Sequence, residues 1–149
     1  GVDNNNDGVL ILGATNTPWH LDQAFRRPGR FDRIIFVPPP DDSARTSILQ
    51  LKLQNKPTGS IDHADIAKKI DGYSGADIDA IIDIAIEEKL EDAIKAGIPQ
   101  PLGTKDILNA VRKHKSTTTE WFATAKNFAL YANESGLYDD VLKHMKIKK

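Results

Sequence analysis

The chain has 149 residues, with 20 lysine and arginine side chains against 21 aspartate and glutamate side chains and a formal net charge of −1. Its apolar residues, 40% of the total, are enough to form the core of one compact unit. The balanced charge makes nonspecific attraction to nucleic acid or a membrane surface unfavourable. Cysteine is absent, which excludes disulfides and thiolate metal sites. No apolar run approaches the roughly 20 residues of a membrane span, and we expect a cytoplasmic protein.

Two short apolar runs near the start of the chain predict β-strands. Residues 9–12 (VLIL) and 34–37 (IIFV) are continuous rather than alternating in hydropathy. Such runs are typical of parallel strands that are covered on both faces. Between them, Asp22 can cap a short helix that Pro28 and Gly29 end. The first part of the chain is therefore predicted to belong to an α/β sheet.

Helical periodicity replaces the strand-like pattern after residues 38–40 (PPP) and continues through the rest of the chain. The start and stop signals predict four helices, at residues 41–56, at 62–70, from the cap Ser74 to the stop at Gly97, and from Thr104 onward. This change of pattern marks a subdomain boundary at the prolines.

Two polar motifs beside the predicted strands suit chemistry on phosphate groups. Residues 13–16 (GATN) place the Asn16 amide just after the first strand, and residues 26–32 (RRPGRFD) set Arg27 and Arg30 on either side of a Pro-Gly turn. Guanidinium groups stabilise the charge that spreads over a phosphoryl group during transfer. An ordinary structural explanation exists for each motif taken alone, since asparagine forms turns and exposed arginines form weak ion pairs.

Together these motifs resemble the AAA family of ATPases, of the vacuolar-sorting, katanin, spastin and cell-division-cycle kind. The resemblance implies that Asn16 is sensor 1, whose amide would hydrogen-bond the γ-phosphate of ATP or its attacking water. It implies that Arg27 and Arg30 are arginine fingers that act in trans on the nucleotide of the adjacent subunit. Arg26 and Asp32 are expected to brace the turn.

The resemblance also implies a surface for the adenine side of the nucleotide. Gly75 and Ala76, at the start of the third predicted helix, are similar to the sensor-2 element of the family, where a Gly-Ala pair lies against adenine. Ile48 matches an apolar position that covers the base, and Lys52 falls where several relatives have a histidine near the ribose. Capping of the helix by Ser74 explains the same segment without any ligand.

The implied fold class is α/β, in three parts. Residues 1–40 would be the end of a parallel-sheet P-loop ATPase core with two strands, and residues 41–115 an all-α helical lid subdomain. Residues 116–149 form a carboxyl-terminal helical extension, in which Thr117 and Glu120 can form a capping box. Its apolar stripe is expected to pack on the module rather than to form a groove for a partner.

Several elements of an ATPase are absent from this sequence. It contains no G-x-x-x-x-G-K-[ST] loop and no apolar strand that ends in paired acids, so we expect the magnesium ligands to lie outside this chain. In the AAA family those elements and the pore loops lie upstream, so we interpret the chain as a carboxyl-terminal fragment that is inactive alone. Residues 3–8 match half of a calcium loop, but its twelfth position is Ala14 instead of Glu, and no metal site is predicted.

The function implied by the resemblance is that of a ring-forming ATPase that uses ATP and Mg²⁺. The ring is expected to be a hexamer of identical subunits that remodels or unfolds a protein substrate. A noncatalytic AAA-lid assembly module and a nucleic-acid-remodelling ATPase stay open as alternatives. The intact motifs favour the enzyme, and the scarcity of basic, aromatic stretches disfavours nucleic acid as a partner. Because H-E-x-x-H is absent, AAA relatives with a fused zinc protease are disfavoured.

Overall fold

The computed structural model describes residues 8–31, 33–133 and 136–147, and the regular structure within these residues is helical. Two short 3-10 helices, Pro18–His20 and Gln23–Arg26, precede the α-helices. The α-helices are α1 (Asp42–Leu53), α2 (His63–Lys69), α3 (Gly75–Ala96), α4 (Thr104–Lys113), α5 (Thr118–Tyr131) and α6 (Asp139–His144). The four predicted helices thus correspond to α1 to α4, with bounds that differ by at most three residues.

Neither predicted strand is present among the described residues. Residues 9–12 and 34–37 lie outside any helix or strand, and an isolated parallel bridge joins Thr58 to Leu102 elsewhere. Apart from Phe36, the apolar side chains of both runs are exposed, with Leu12 at 83% and Val37 at 81% of full exposure. A strand needs a neighbour that supplies N–H and C=O groups, and neither run finds one here. The described residues therefore do not form the sheet that the hydropathy pattern predicts.

Helices α1 to α4 surround one apolar core, as expected for a helical unit. Its fully buried members come from all four helices and include Leu49, Ile66, Ile78 and Ile107. Arg45, which is only 3% exposed, links α1 to α2 and to the segment before α1. Its Nε donates to the Ala67 carbonyl at 3.0 Å and its Nη1 to the Pro40 carbonyl at 2.7 Å.

The carboxylate of Asp77 joins three helix ends inside this unit. One oxygen accepts from the Ser74 main-chain N–H at 2.9 Å and hydroxyl at 2.8 Å, which completes a capping box at the start of α3. The other accepts from His114 Nε2 at 2.9 Å, just after α4, and from the Thr117 N–H at 3.1 Å, just before α5. Burial alone would raise the pKa of Asp77, but these hydrogen bonds outweigh it and lower that pKa well below its usual range.

The predicted capping box at Thr117 is wrong. Its side chain makes no capping hydrogen bond to α5, and its backbone N–H, which would donate to Glu120 in a capping box, donates to the Asp77 carboxylate instead. Ser116 and Thr118 reinforce this arrangement, since both hydroxyls donate to the Gly72 carbonyl. A contact between residues 40 positions apart thus replaces the local cap.

A second core lies between α5, α6 and side chains from the first forty residues. Ala125 and Ala129 of α5 and Val141 and Leu142 of α6 are buried in it. Partly buried aromatic side chains surround them, namely Trp19, Phe36, Trp121, Phe122 and Phe128. This aromatic cluster confirms that the apolar stripe of the extension packs on the chain itself.

Replacement of Asp77 by asparagine tests the role of the carboxylate in stability. Asp77→Asn removes the charge and places an N–H₂ group against donors, so we expect the free energy of unfolding to fall by about 2 to 3 kcal/mol. Urea denaturation of the chain, followed by its helical circular dichroism, measures this change. The matched control is Asp79→Asn on the same helix, whose half-exposed pair with Lys52 contributes less than about 1 kcal/mol. Equal losses in both variants would contradict this role.

The pH dependence of the free energy of unfolding gives a second measure of the hydrogen bonds to Asp77. The pKa of Asp77 is lower in the folded chain than in the unfolded chain. As the pH falls, the Asp77 carboxylate is therefore protonated first in the unfolded chain. Its stabilising contribution is therefore present above its ordinary pKa of 3.8 and is lost progressively below it. The Asp77→Asn variant should lose less stability than the parent chain between about pH 4 and pH 2.

Candidate nucleotide site

Asn16 lies at the surface, held by its main chain rather than by its side chain. Its carbonyl accepts a hydrogen bond from the indole Nε1–H of Trp121 on α5. Thr15 shapes the same turn, because its hydroxyl accepts from the Thr17 N–H at 3.0 Å. Among the described residues, no hydrogen bond involves the Asn16 amide side chain. The group predicted to act on phosphate is therefore available to a ligand.

The arginine motif forms a tight turn with both predicted fingers at the surface. The N–H of Arg30 donates to the Arg27 carbonyl at 3.2 Å, and Gly29 adopts a left-handed φ of 81°, which favours glycine. Arg30 Nη1 also donates to the Ala24 carbonyl at 2.9 Å. Within the described ranges, the Arg27 guanidinium has neither a hydrogen bond nor an ion pair.

Gly13 brings the two motifs together. A Cβ atom at this position would lie 3.3 Å from Cε1 of Phe31, so the absence of a side chain at residue 13 allows the close approach. A shallow surface groove of about 310 Å³ follows this contact. It is lined by Ile11, Phe25, Gly29, Arg30 and Phe31. The groove therefore includes one of the two predicted fingers, while Asn16 is not part of its lining.

Arg26 and Asp32 are the residues expected to brace the turn, and the structure describes only Arg26. Asp32 lies outside the described residues, as do residues 3–7 of the calcium-like stretch. The Nε of Arg26 is buried and finds no hydrogen-bond partner in the described part of the chain. Burial raises the pKa of Tyr138, and the charge of Arg26 opposes that rise. Arg26 therefore lies near α6, a proximity that the sequence did not indicate.

The predicted adenine surface lies at the start of α3 and on α1. A Cβ atom at Gly75 would meet no heavy atom within 4 Å, and Ala76 is exposed, so the first turn of α3 is open. Ile48 is partly buried against the core. Lys52 Nζ lies 2.9 Å from Asp79 Oδ2, with both side chains 44% exposed, so a ribose would compete with that carboxylate.

The structure does not join the two halves of the predicted site directly. No hydrogen bond or ion pair between described residues links the start of α3 to Asn16 or to the arginine turn. The connection runs instead through α5, which contacts Asp77 at its start and Asn16 through Trp121. Sequence reasoning missed His114, Thr117 and Trp121 in this connection, since no local pattern marks contacts between residues so far apart in the chain.

Two further properties concern metals and membranes. In the described ranges, no three His, Cys, Asp or Glu side chains are grouped so that they could hold a metal ion. No described helix combines the length and the apolar character that crossing a membrane would require.

Comparison with known proteins identifies the family. Residues 1–39, which contain both polar motifs, match the family described as "ATPase family associated with various cellular activities (AAA)". The chain belongs to this AAA family. The predicted sensor 1 and finger residues all lie within the matched AAA segment, whereas the helices after the prolines lie beyond it.

Individual AAA relatives extend the similarity into the helical part of the chain. Human "Vacuolar protein sorting-associated protein 4A" is 49% identical over 84 residues, which are 55% of this chain and 19% of that protein. "Cell division cycle protein 48 homolog" of Archaeoglobus fulgidus is 37% identical over 110 residues, 73% of this chain and 14% of that protein. The chain thus spans less than a fifth of the length of these relatives.

A third AAA relative bears on the interpretation that disfavoured fused proteases. "ATP-dependent zinc metalloprotease FTSH 9, chloroplastic/mitochondrial" of Oryza sativa subsp. japonica is 44% identical over 112 residues, 72% of this chain and 14% of that protein. The compared region makes up only a small part of that protein. The lack of an H-E-x-x-H motif in this chain therefore does not separate it from such relatives.

Proposed function

We propose that this chain supplies sensor 1, the trans arginine fingers and the adenine-side lid of a ring-forming AAA ATPase. One observation carries the proposal: both polar motifs of the matched segment lie side by side at the Gly13–Phe31 contact, with Asn16, Arg27 and Arg30 exposed. Exposed guanidinium groups beside an exposed amide suit a nucleotide that lies between subunits.

The chain divides, in this proposal, into the end of an α/β core (1–40), a helical lid (41–115) and a helical extension (116–149). The exposed apolar runs at 9–12 and 34–37 support the first part. Their side chains have the composition of buried parallel strands but, apart from Phe36, lie uncovered. A strand inserted between them, carrying the phosphate loop, would pair with both and complete a sheet whose faces helices cover. The magnesium ligands belong to that same region.

Each proposed site residue has a distinct role in hydrolysis. Asn16 orients the attacking water or the γ-phosphate within its own subunit, and Arg27 and Arg30 stabilise the charge that develops on the nucleotide of the neighbour. Because the Arg27 guanidinium makes no hydrogen bond or ion pair among the described residues, it can bind a phosphate without breaking one. Arg30 would exchange or share its hydrogen bond to the Ala24 carbonyl.

The lid binds the other end of the nucleotide. Gly75 and Ala76 present an open backbone at the start of α3, where a flat ring can approach closely, and Ile48 supplies apolar cover. Lys52 reaches the ribose when it releases Asp79. The ring, proposed to be a hexamer of identical subunits, couples ATP hydrolysis to the remodelling of a protein substrate. Three different named AAA proteins that share this segment support a general AAA ATPase role.

Substitution of Asn16 tests sensor 1 in an ATPase-competent protein that contains this chain. Asn16→Ala should lower the turnover number by roughly 10²-fold with little change in nucleotide affinity, because the lost hydrogen bond acts mainly in the transition state. Steady-state ATPase assays and nucleotide titration measure the two quantities. The exposed Asn55 provides the matched control, and Asn55→Ala should retain full activity. An unaltered turnover number in Asn16→Ala would show that Asn16 does not act as sensor 1.

Mixed rings test whether Arg27 acts across the subunit boundary. A ring of Arg27→Ala subunits should be inactive, yet it should regain ATPase activity when mixed with subunits whose nucleotide site is disabled and whose arginines are intact. The two defects then fall on different partners at some interfaces. Arg112→Ala, at an exposed arginine of α4, is the matched control and should be active alone. Mixtures that co-assemble but stay inactive at every ratio would place Arg27 within its own subunit.

A further inference from the structure

Trp121 connects the carboxyl-terminal extension to the proposed sensor. Its indole Nε1–H donates to the main-chain carbonyl of Asn16, across 105 positions of sequence. Because this bond uses the carbonyl, it leaves the Asn16 amide side chain available for nucleotide. The bond therefore fixes the backbone from which that amide projects, without occupying the amide itself.

Aromatic packing on α5 fixes the chain on both sides of Asn16 and the arginine turn. Trp19, three residues after Asn16, stacks on Phe128 with ring centroids 5.1 Å apart and planes 4° from parallel. Phe36, after the arginine turn, stacks on Trp121 at 6.0 Å with planes 12° from parallel. The intervening segment has no sheet to hold it among the described residues. Its position therefore depends on these contacts with α5.

The position of α5 is itself fixed at its first residues. The Thr117 N–H donates to Asp77, and the Ser116 and Thr118 hydroxyls donate to the Gly72 carbonyl. Trp121 lies four residues after Thr117, which is about one helical turn. The indole therefore projects from the turn of α5 that is bound to the start of α3.

We propose that Trp121 is a positioning residue for ATP hydrolysis, which holds the Asn16 backbone so that the amide meets the γ-phosphate or the attacking water. This inference rests on the proposed role of Asn16 as sensor 1. A small displacement of a group that acts in the transition state lowers the turnover number more than it lowers substrate affinity. Loss of the indole hydrogen bond should therefore affect kcat more than KM.

The test compares two Trp→Phe substitutions in an ATPase-competent protein that contains this chain. Trp121→Phe removes the N–H donor and keeps an aromatic ring, and we expect kcat to fall by roughly five- to tenfold, as the loss of one hydrogen bond does. The KM for ATP should change by less than about twofold. Trp19→Phe, the matched control, keeps an aromatic ring against Phe128 and removes an indole N–H that no described hydrogen bond joins to Asn16. It should keep kcat within about twofold.

A double substitution separates positioning from general stability. If Trp121 acts through Asn16, then Trp121→Phe should cause no further loss of kcat in an Asn16→Ala background, because the two effects are not additive. Similar losses in Trp121→Phe and Trp19→Phe, or additive losses in the double variant, would overturn the inference. A slow Asn16→Ala with a normal Trp121→Phe overturns this inference alone, whereas a normal Asn16→Ala overturns the proposed function.

An isosteric replacement covers the case in which Trp121→Phe fails to assemble. Trp121→3-benzothienylalanine keeps the size and shape of the bicyclic ring and replaces the N–H with sulfur. The same fall in kcat is expected, with ring assembly intact as judged by light scattering. Full activity in this variant would show that the packing of the ring, and not its hydrogen bond, is what matters.

Discussion

The buried carboxylate of Asp77 is the interaction on which the arrangement of this chain depends. A charge that is only 1% exposed is tolerated because donors surround it. Those donors come from Ser74, His114 and Thr117, which lie before α3, after α4 and before α5. A single side chain thereby fixes the start of two helices and the end of a third.

The consequences of this constraint reach the polar motifs at the other end of the chain. Once its first residues are bound at Asp77, α5 presents Trp121 and Phe128 to the segment that contains Asn16 and the arginine turn. That segment has uncovered apolar runs and no paired strand among the described residues, so its contacts with the helical part determine its place. In the proposed ATPase, the lid and the sensor would thus be joined through α5.

Local patterns allowed much of the helical part to be predicted from the sequence. The caps at Asp22 and Ser74 and the stop at Gly97 depend on residues within one turn, and the structure confirms all three. The Thr117 cap was predicted wrongly because a distant partner, Asp77, binds its N–H. The predicted strands do not form among the described residues because each needs a neighbouring strand. Asn16 and Arg27 stay predictions in their chemical roles, since those roles require a nucleotide and a second subunit.

The most direct measurement of the central claim is the structure of the ATP-bound assembly of a protein that contains this chain, determined with a slowly hydrolysed analogue. We expect the Asn16 amide to lie within hydrogen-bond distance of the γ-phosphate or its water in the same subunit. We also expect the guanidinium groups of Arg27 and Arg30 to contact the nucleotide of the adjacent subunit. An assembly in which both arginines face away from every nucleotide, with Asn16 in contact only with protein, would contradict that claim.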